Sequence, residues 1–163
     1  MSKAILAYLK STSLSHAMSM SPFLWPICET LHFIGLALLI GGAGLIDLRL
    51  MGLFKSVSVK AMMQVRIWAA LGLLINVVTG TLFFIGAPEQ YVHNSAWYFK
   101  LLFLAVAMIN LVVFETTQKQ KMLSIGAGDD TPRSFKIAGA VSMGSWFLVL
   151  YFGRMLPFIG NAF

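Results

Sequence analysis

The sequence predicts an all-α fold, an integral-membrane four-helix bundle with both termini on the outer side. Three observations predict it. Four apolar segments are each long enough to reach across a bilayer. A composition of 58% apolar against 11% charged residues over 163 positions leaves too little polar surface for a water-exposed domain. Eight of the twelve Lys and Arg residues gather in two of the regions between the segments, as topology determinants do. A mean hydropathy of +0.81 agrees. The apolar runs are long and do not alternate, which excludes strands.

Residues 1–20 read as an N-terminal tail or an interfacial helix, with Ile5, Tyr8 and Leu9 set against Lys3 and Lys10. The apolar run 4–9 is too short for a signal peptide. The four-span domain occupies 21–163. Span one, about 27–46, is entered through Ser21-Pro22 or Trp25-Pro26. Span two, about 67–86, carries no charge and is closed by Pro88, and its helix is expected to begin earlier, near Ser58. Span three, about 96–117, has only fourteen uncharged residues between Lys100 and Glu115. These cover about 21 Å of a hydrocarbon core about 30 Å thick. Crossing therefore draws Lys100, Glu115 or both into the apolar slab, where charges are expensive and mark sites. Span four, about 137–155, takes its N-cap and first position from Thr131-Pro132, and Pro157 follows its end.

Charge orients the bundle. Arg49, Lys55, Lys60 and Arg66 lie between spans one and two, and Lys119, Lys121, Arg133 and Lys136 between three and four. The positive-inside rule puts both regions in the cytoplasm of a bacterial inner membrane and both termini outside. Trp25, Tyr91, Trp97 and Tyr98 mark an outer aromatic belt and Trp68 an inner one. The net charge of +6 is spread over loops and helix ends, so nucleic acid is not a partner and the lipid bilayer is. Cys28, the single cysteine, excludes an intrachain disulfide. Gly35, Gly41, Gly42 and Gly44 on span one and Gly72, Asn76 and Gly80 on span two allow close approach of a helix or of a flat ligand.

At the outer ends, Glu29 and His32 start span one, Lys100 starts span three and Arg154 ends span four. Glu29 and His32 are three residues apart and share a face. A glutamate that accepts from the imidazole N–H would fix its tautomer and raise the basicity of the other nitrogen. The structural alternative is an ion-pair network, Glu29 with Lys100 or Arg154. Asp47, Arg49, Glu115 and Lys136 form an inner set, read as structural pairs Asp47–Lys136 and Arg49–Glu115. A proton path through Asn110, Asn76 and Thr79 would need water between them. His16, Met18 and Met20 offer an imidazole and two thioethers, which suit Cu(I). Glu29-Thr30-Leu31-His32 has the Glu-x-x-His spacing of di-iron bundles, but those need two such motifs and this chain has one. No Gly-x-Ser-x-Gly motif or phosphate-binding loop occurs.

Glu29-Thr30-Leu31-His32, then Gly35, Gly41-Gly42 and Asp47-Leu48-Arg49-Leu50, resembles the first span of an uncharacterised family of bacterial four-span inner-membrane proteins. Trp97-Tyr98-Phe99-Lys100-Leu101-Leu102 and Gly153-Arg154 fit the same pattern, so the likeness covers most of residues 25–156. More distantly, the chain is similar to the membrane domain of copper-resistance D proteins and to haem-binding bacterial protoporphyrinogen oxidases. That resemblance implies haem b in a helical bundle, with His32 as axial ligand and Lys100 nearby. The chain departs from it in having Asn110 where those oxidases tend to place a further histidine, which leaves His93 as the other histidine close to the site. The expectation is a haem-b-binding redox or electron-transfer protein, with Lys100 and Arg154 as counter-charges and a quinone or another membrane redox protein as partner. The alternatives are a non-enzymatic accessory or assembly protein whose rim charges bind lipid headgroups, and copper handling.

Overall fold

The computed structural model describes residues 3–159, so the last four residues of the expected 21–163 domain lie outside the described residues. Its helices are α1 Lys3–Lys10, α2 Ser13–Met20, α3 Leu24–Leu50, α4 Val59–Met62, α5 Arg66–Gly86, α6 Pro88–Val92, α7 Ser95–Ser124 and α8 Arg133–Met155. No strand occurs among the described residues. Four helical runs are long and apolar enough to cross a membrane: α3, Val59–Gly86, α7 and α8. This is the architecture of a multi-pass membrane protein. Their outward faces show Ile67, Leu74, Val77, Ile109 and Val112 at the surface, which suits contact with lipid.

α3 packs against α5 and α8, α7 packs against α8, and α5 and α7 barely touch. The bundle therefore has one seam, between α5 and α7. It is bridged at one end by the stacked rings of Phe84 and Trp97, centroids 5.8 Å apart, and at the other by the Arg66–Glu115 ion pair at 3.6 Å. We call the first the cap end, because α1, α2 and α6 cover it, and the second the loop end. Gly35 and Gly72 bring α3 and α5 so close that a Cβ on Gly72 would lie 2.5 Å from the Leu39 nitrogen. Such glycine contacts are how membrane helices pack without a hydrophobic driving force.

The chain breaks its helices largely where expected. Ser21 Oγ accepts from the Leu24 amide at 3.3 Å, and Ser58 caps α4, which continues through a 3-10 turn, Met63–Val65, into α5. Asn94 caps α7 and also donates to the Leu156 carbonyl at 2.8 Å, tying the start of α7 to the end of α8. Three boundaries differ from expectation, and the largest difference is at the end of α7, which runs to Ser124 and not to about 117. α3 runs on to Leu50, where Arg49, fully buried, donates to loop carbonyls through Nε and Nη2. α8 starts at Arg133 with Pro132 at the cap position, and Thr131 Oγ1 instead donates to the Leu50 carbonyl at 2.8 Å. Residues 3–20 form two short helices rather than a frayed tail. The Lys10–Glu89 bridge at 2.7 Å and the Ser19 hydroxyl on the Gly86 carbonyl fasten them over the cap end.

Candidate functional site

At the cap end the four spans part around a cleft of about 590 Å³, and a deeper lobe of about 510 Å³ shares its inner wall. Both volumes lie in the range of small-molecule and cofactor sites. Glu29, His32, Lys100 and Arg154 all line the cleft, so the structure brings together four side chains from α3, α7 and α8. His32 and Lys100 also line the deeper lobe, together with Asn76 and Trp146. Gly80 and Gly153 keep the walls thin at this level. A Cβ on Gly80 would sit 3.8 Å from the His32 ring, and one on Gly153 3.6 Å from the Lys100 Nζ.

His32 is fixed by α5 and not by its own helix. Its Nδ1 lies 2.7 Å from Thr79 Oγ1, and its ring meets Phe83 edge-on with centroids 5.6 Å apart. The Thr79 hydroxyl has one proton, which goes to the Ile75 carbonyl at 2.7 Å. With its proton there, Thr79 accepts from His32 Nδ1–H, and Nε2 carries the lone pair in that tautomer. The expected partner, Glu29, plays no part in this: its side chain is exposed and makes no hydrogen bond to the imidazole. Three-residue spacing put the two on neighbouring parts of one face, yet the hydroxyl on the facing helix reaches the ring.

The expected ion-pair alternative is also absent. Among the described residues no carboxylate lies within salt-bridge distance of Lys100 or Arg154. Both cations rest on aromatic rings instead, Lys100 Nζ 5.9 Å from the Trp97 centroid and the Arg154 guanidinium 5.6 Å from that of Phe158. Asn76 donates to the Gly72 carbonyl at 2.9 Å and leaves Oδ1 buried without a partner. Tyr91 closes the mouth, and burial pushes its phenol up to about 12, so it stays a neutral donor. His93 is exposed at the end of α6 and is not part of the cleft wall.

The inner set pairs differently from expectation. Arg49 serves the loops and not Glu115: Nε donates to the Val57 carbonyl at 2.6 Å, and Nη2 to Gly126 and Asp129 at 3.2 Å each. Glu115 pairs with Arg66. Lys136 bonds Asp130 at 2.8 Å, and Lys55 joins the same carboxylate at 3.1 Å. Lys136 and Lys55 hold the Asp130 carboxyl down to about 2. Its contribution is thus complete above the ordinary aspartate range and is lost as pH falls from about 4 towards 2. Asp47 is left with a buried Oδ2 that has no partner.

The copper motif does not converge. Met18 is buried against Gly86, whereas His16 and Met20 are exposed on the opposite side of α2. Positions two apart on a helix point about 200° apart, which separates Met18 from both. Among the described residues no group of three or more His, Cys, Asp or Glu side chains could hold a metal ion.

The chemistry of the cleft is that of one bare imidazole nitrogen, two unpaired cations, an orphaned amide oxygen and an aromatic mouth. It can donate one nitrogen ligand and hold an anionic group on a largely apolar molecule. No family model, curated protein or solved structure matches the chain.

Proposed function

We propose that the cap-end cleft binds haem b and that the protein carries electrons within a bacterial inner membrane, exchanging them with a quinone or another membrane redox protein. The observation that carries this reading is the hydrogen bond from His32 Nδ1 to Thr79, which leaves Nε2 as a bare ligand in a cleft with two unpaired cations. The donor set fits the group: His32 would supply one axial nitrogen, Thr79 would hold its ring, and Lys100 and Arg154 would face the propionates. Haem b supplies one-electron redox chemistry when bound. Trp25, Phe83 and Trp97 line the cleft, and their apolar rings would limit water around a bound group. A non-enzymatic protein that seats an anionic lipid headgroup on Lys100 and Arg154 is the second reading, favoured by the seam between α5 and α7 through which a tail could leave.

The purified protein is expected to show a Soret band that shifts on reduction. His32→Ala should abolish it, His93→Ala should leave it unchanged, and Lys100→Met should weaken retention without removing the band. Thr79→Val should weaken retention by about tenfold or more, as loss of a ligand's orienting partner does. A protein that stays colourless when expressed with haem precursor would leave the lipid-binding reading as the better one.

The orientation we propose puts the loop end in the cytoplasm, on the eight Lys and Arg residues between the spans. In a Cys28→Ser background, cysteines at Ser56 and Ala127 should be shielded from an impermeant reagent in intact cells, and one at Ser13 should be labelled. The opposite pattern would move the cleft to the cytoplasmic face.

A further inference from the structure

At the loop end a third cavity, of about 330 Å³, lies between α3, α5, α7 and α8. Most of its wall is apolar. Its polar groups are Asp47 on α3, Asn110 on α7 and Ser142 on α8, with Arg66 and Glu115 beside them. Asp47 is only 4% exposed and its Oδ2 has no hydrogen-bond partner, while Ser142 lines the same cavity from α8. Asn110 commits its NH₂ to the Ala138 carbonyl at 3.0 Å, one turn from Ser142, which leaves its amide oxygen as an acceptor.

A buried carboxylate needs a positive charge, and no Lys or Arg among the described residues lies within salt-bridge distance of Asp47. Arg49 turns Nε and Nη2 to loop carbonyls, keeps a buried Nη1 without a partner and does not line the cavity, while Lys136 and Lys55 hold Asp130 and Arg66 holds Glu115. Arg66 and Glu115 cancel, so the cavity wall carries one uncompensated negative charge, at Asp47. The donors facing it are a carboxylate, a hydroxyl and an amide oxygen, all hard oxygens suited to a hard cation and not to a soft metal. A single negative charge matches a single positive one.

We propose that this cavity is a site for one exchangeable monovalent cation, a proton or an alkali-metal ion, held at Asp47 with Ser142 and Asn110 as further oxygen donors. Arg66, with its side chain 64% exposed, and Glu115 at 28% form the water-facing side through which the cation reaches it. The site is separate from the cap-end cleft and does not depend on what binds there.

The test is labelling of the full-length wild-type protein in detergent with dicyclohexylcarbodiimide, mapped by peptide mass spectrometry, with Asp47→Asn assigning the modified position. The reagent is apolar and reacts with a protonated carboxyl, taking its proton on nitrogen and forming a bond from the carboxyl oxygen to its central carbon. Asp47 is expected to be labelled in acidic, sodium-free buffer. If the cation is a proton, labelling falls with rising pH, by about tenfold per unit above the midpoint, and sodium has no effect. If it is an alkali-metal ion, sodium chloride suppresses labelling at fixed pH and choline chloride does not. Absence of labelling under every condition, or labelling equal at all pH values with and without sodium, overturns the proposal.

Discussion

Replacing Arg49 with methionine is expected to destabilise the fold by about 3–5 kcal/mol, because three loop carbonyls lose a charged donor together. The guanidinium joins the loop after α3, through Val57, to the loop before α8, through Gly126 and Asp129. Methionine fills much of the same volume, so the loss reports the polar contacts and not a cavity. Lysine should rescue little, since a single ammonium on a shorter side chain cannot present the planar fork that meets three separate acceptors. Thermal unfolding in detergent checks this. A midpoint within error of wild type would mean that the loops are held by the Asp130 bridges alone.

Gly72→Val is expected to have an effect of similar size, about 3 kcal/mol or more, by prising α3 from α5. Any Cβ there would collide with the Gly35 carbonyl and the Leu39 nitrogen, and backbone cannot move aside as a side-chain tip can. Because Thr79 and Gly80 ride on α5 and His32 on α3, the same change should misplace the imidazole and reduce cofactor retention. Gly41→Ala and Gly44→Ala are the controls, since nothing lies within 4 Å of a Cβ at either. They should be neutral, or stabilising by up to about 1 kcal/mol through helix propensity. Equal losses at all of these glycines would show that the α3–α5 contact is not as close as described.

Those glycines show how far the sequence could be read. Span-one glycines look alike along the chain, yet Gly35 and Gly42 face α5 while Gly41 and Gly44 face open space. The number and position of the long helices were legible because charge-free length and apolar content decide them. So was the gathering of Glu29, His32, Lys100 and Arg154, because depth follows from distance to the helix ends. Pairing was not legible, because it depends on loops that periodicity does not place. Arg49 and Lys136 find partners in residues 57 and 126–130, none of which lies in a span. His32 finds Thr79 through a rotation between α3 and α5 that one helix alone does not reveal.

Chemical rescue of His32→Gly tests most directly whether this imidazole is the ligand that the cleft is built to present. The variant should purify folded and without the Soret band, and free imidazole added with haem should restore a reducible band with the wild-type position. Rescue should fail when Thr79 is also changed to valine, because the hydroxyl that orients the ring is gone. A His32→Gly protein that keeps the wild-type band without imidazole would show that the ligand lies elsewhere and that the His32–Thr79 pair is only part of the packing.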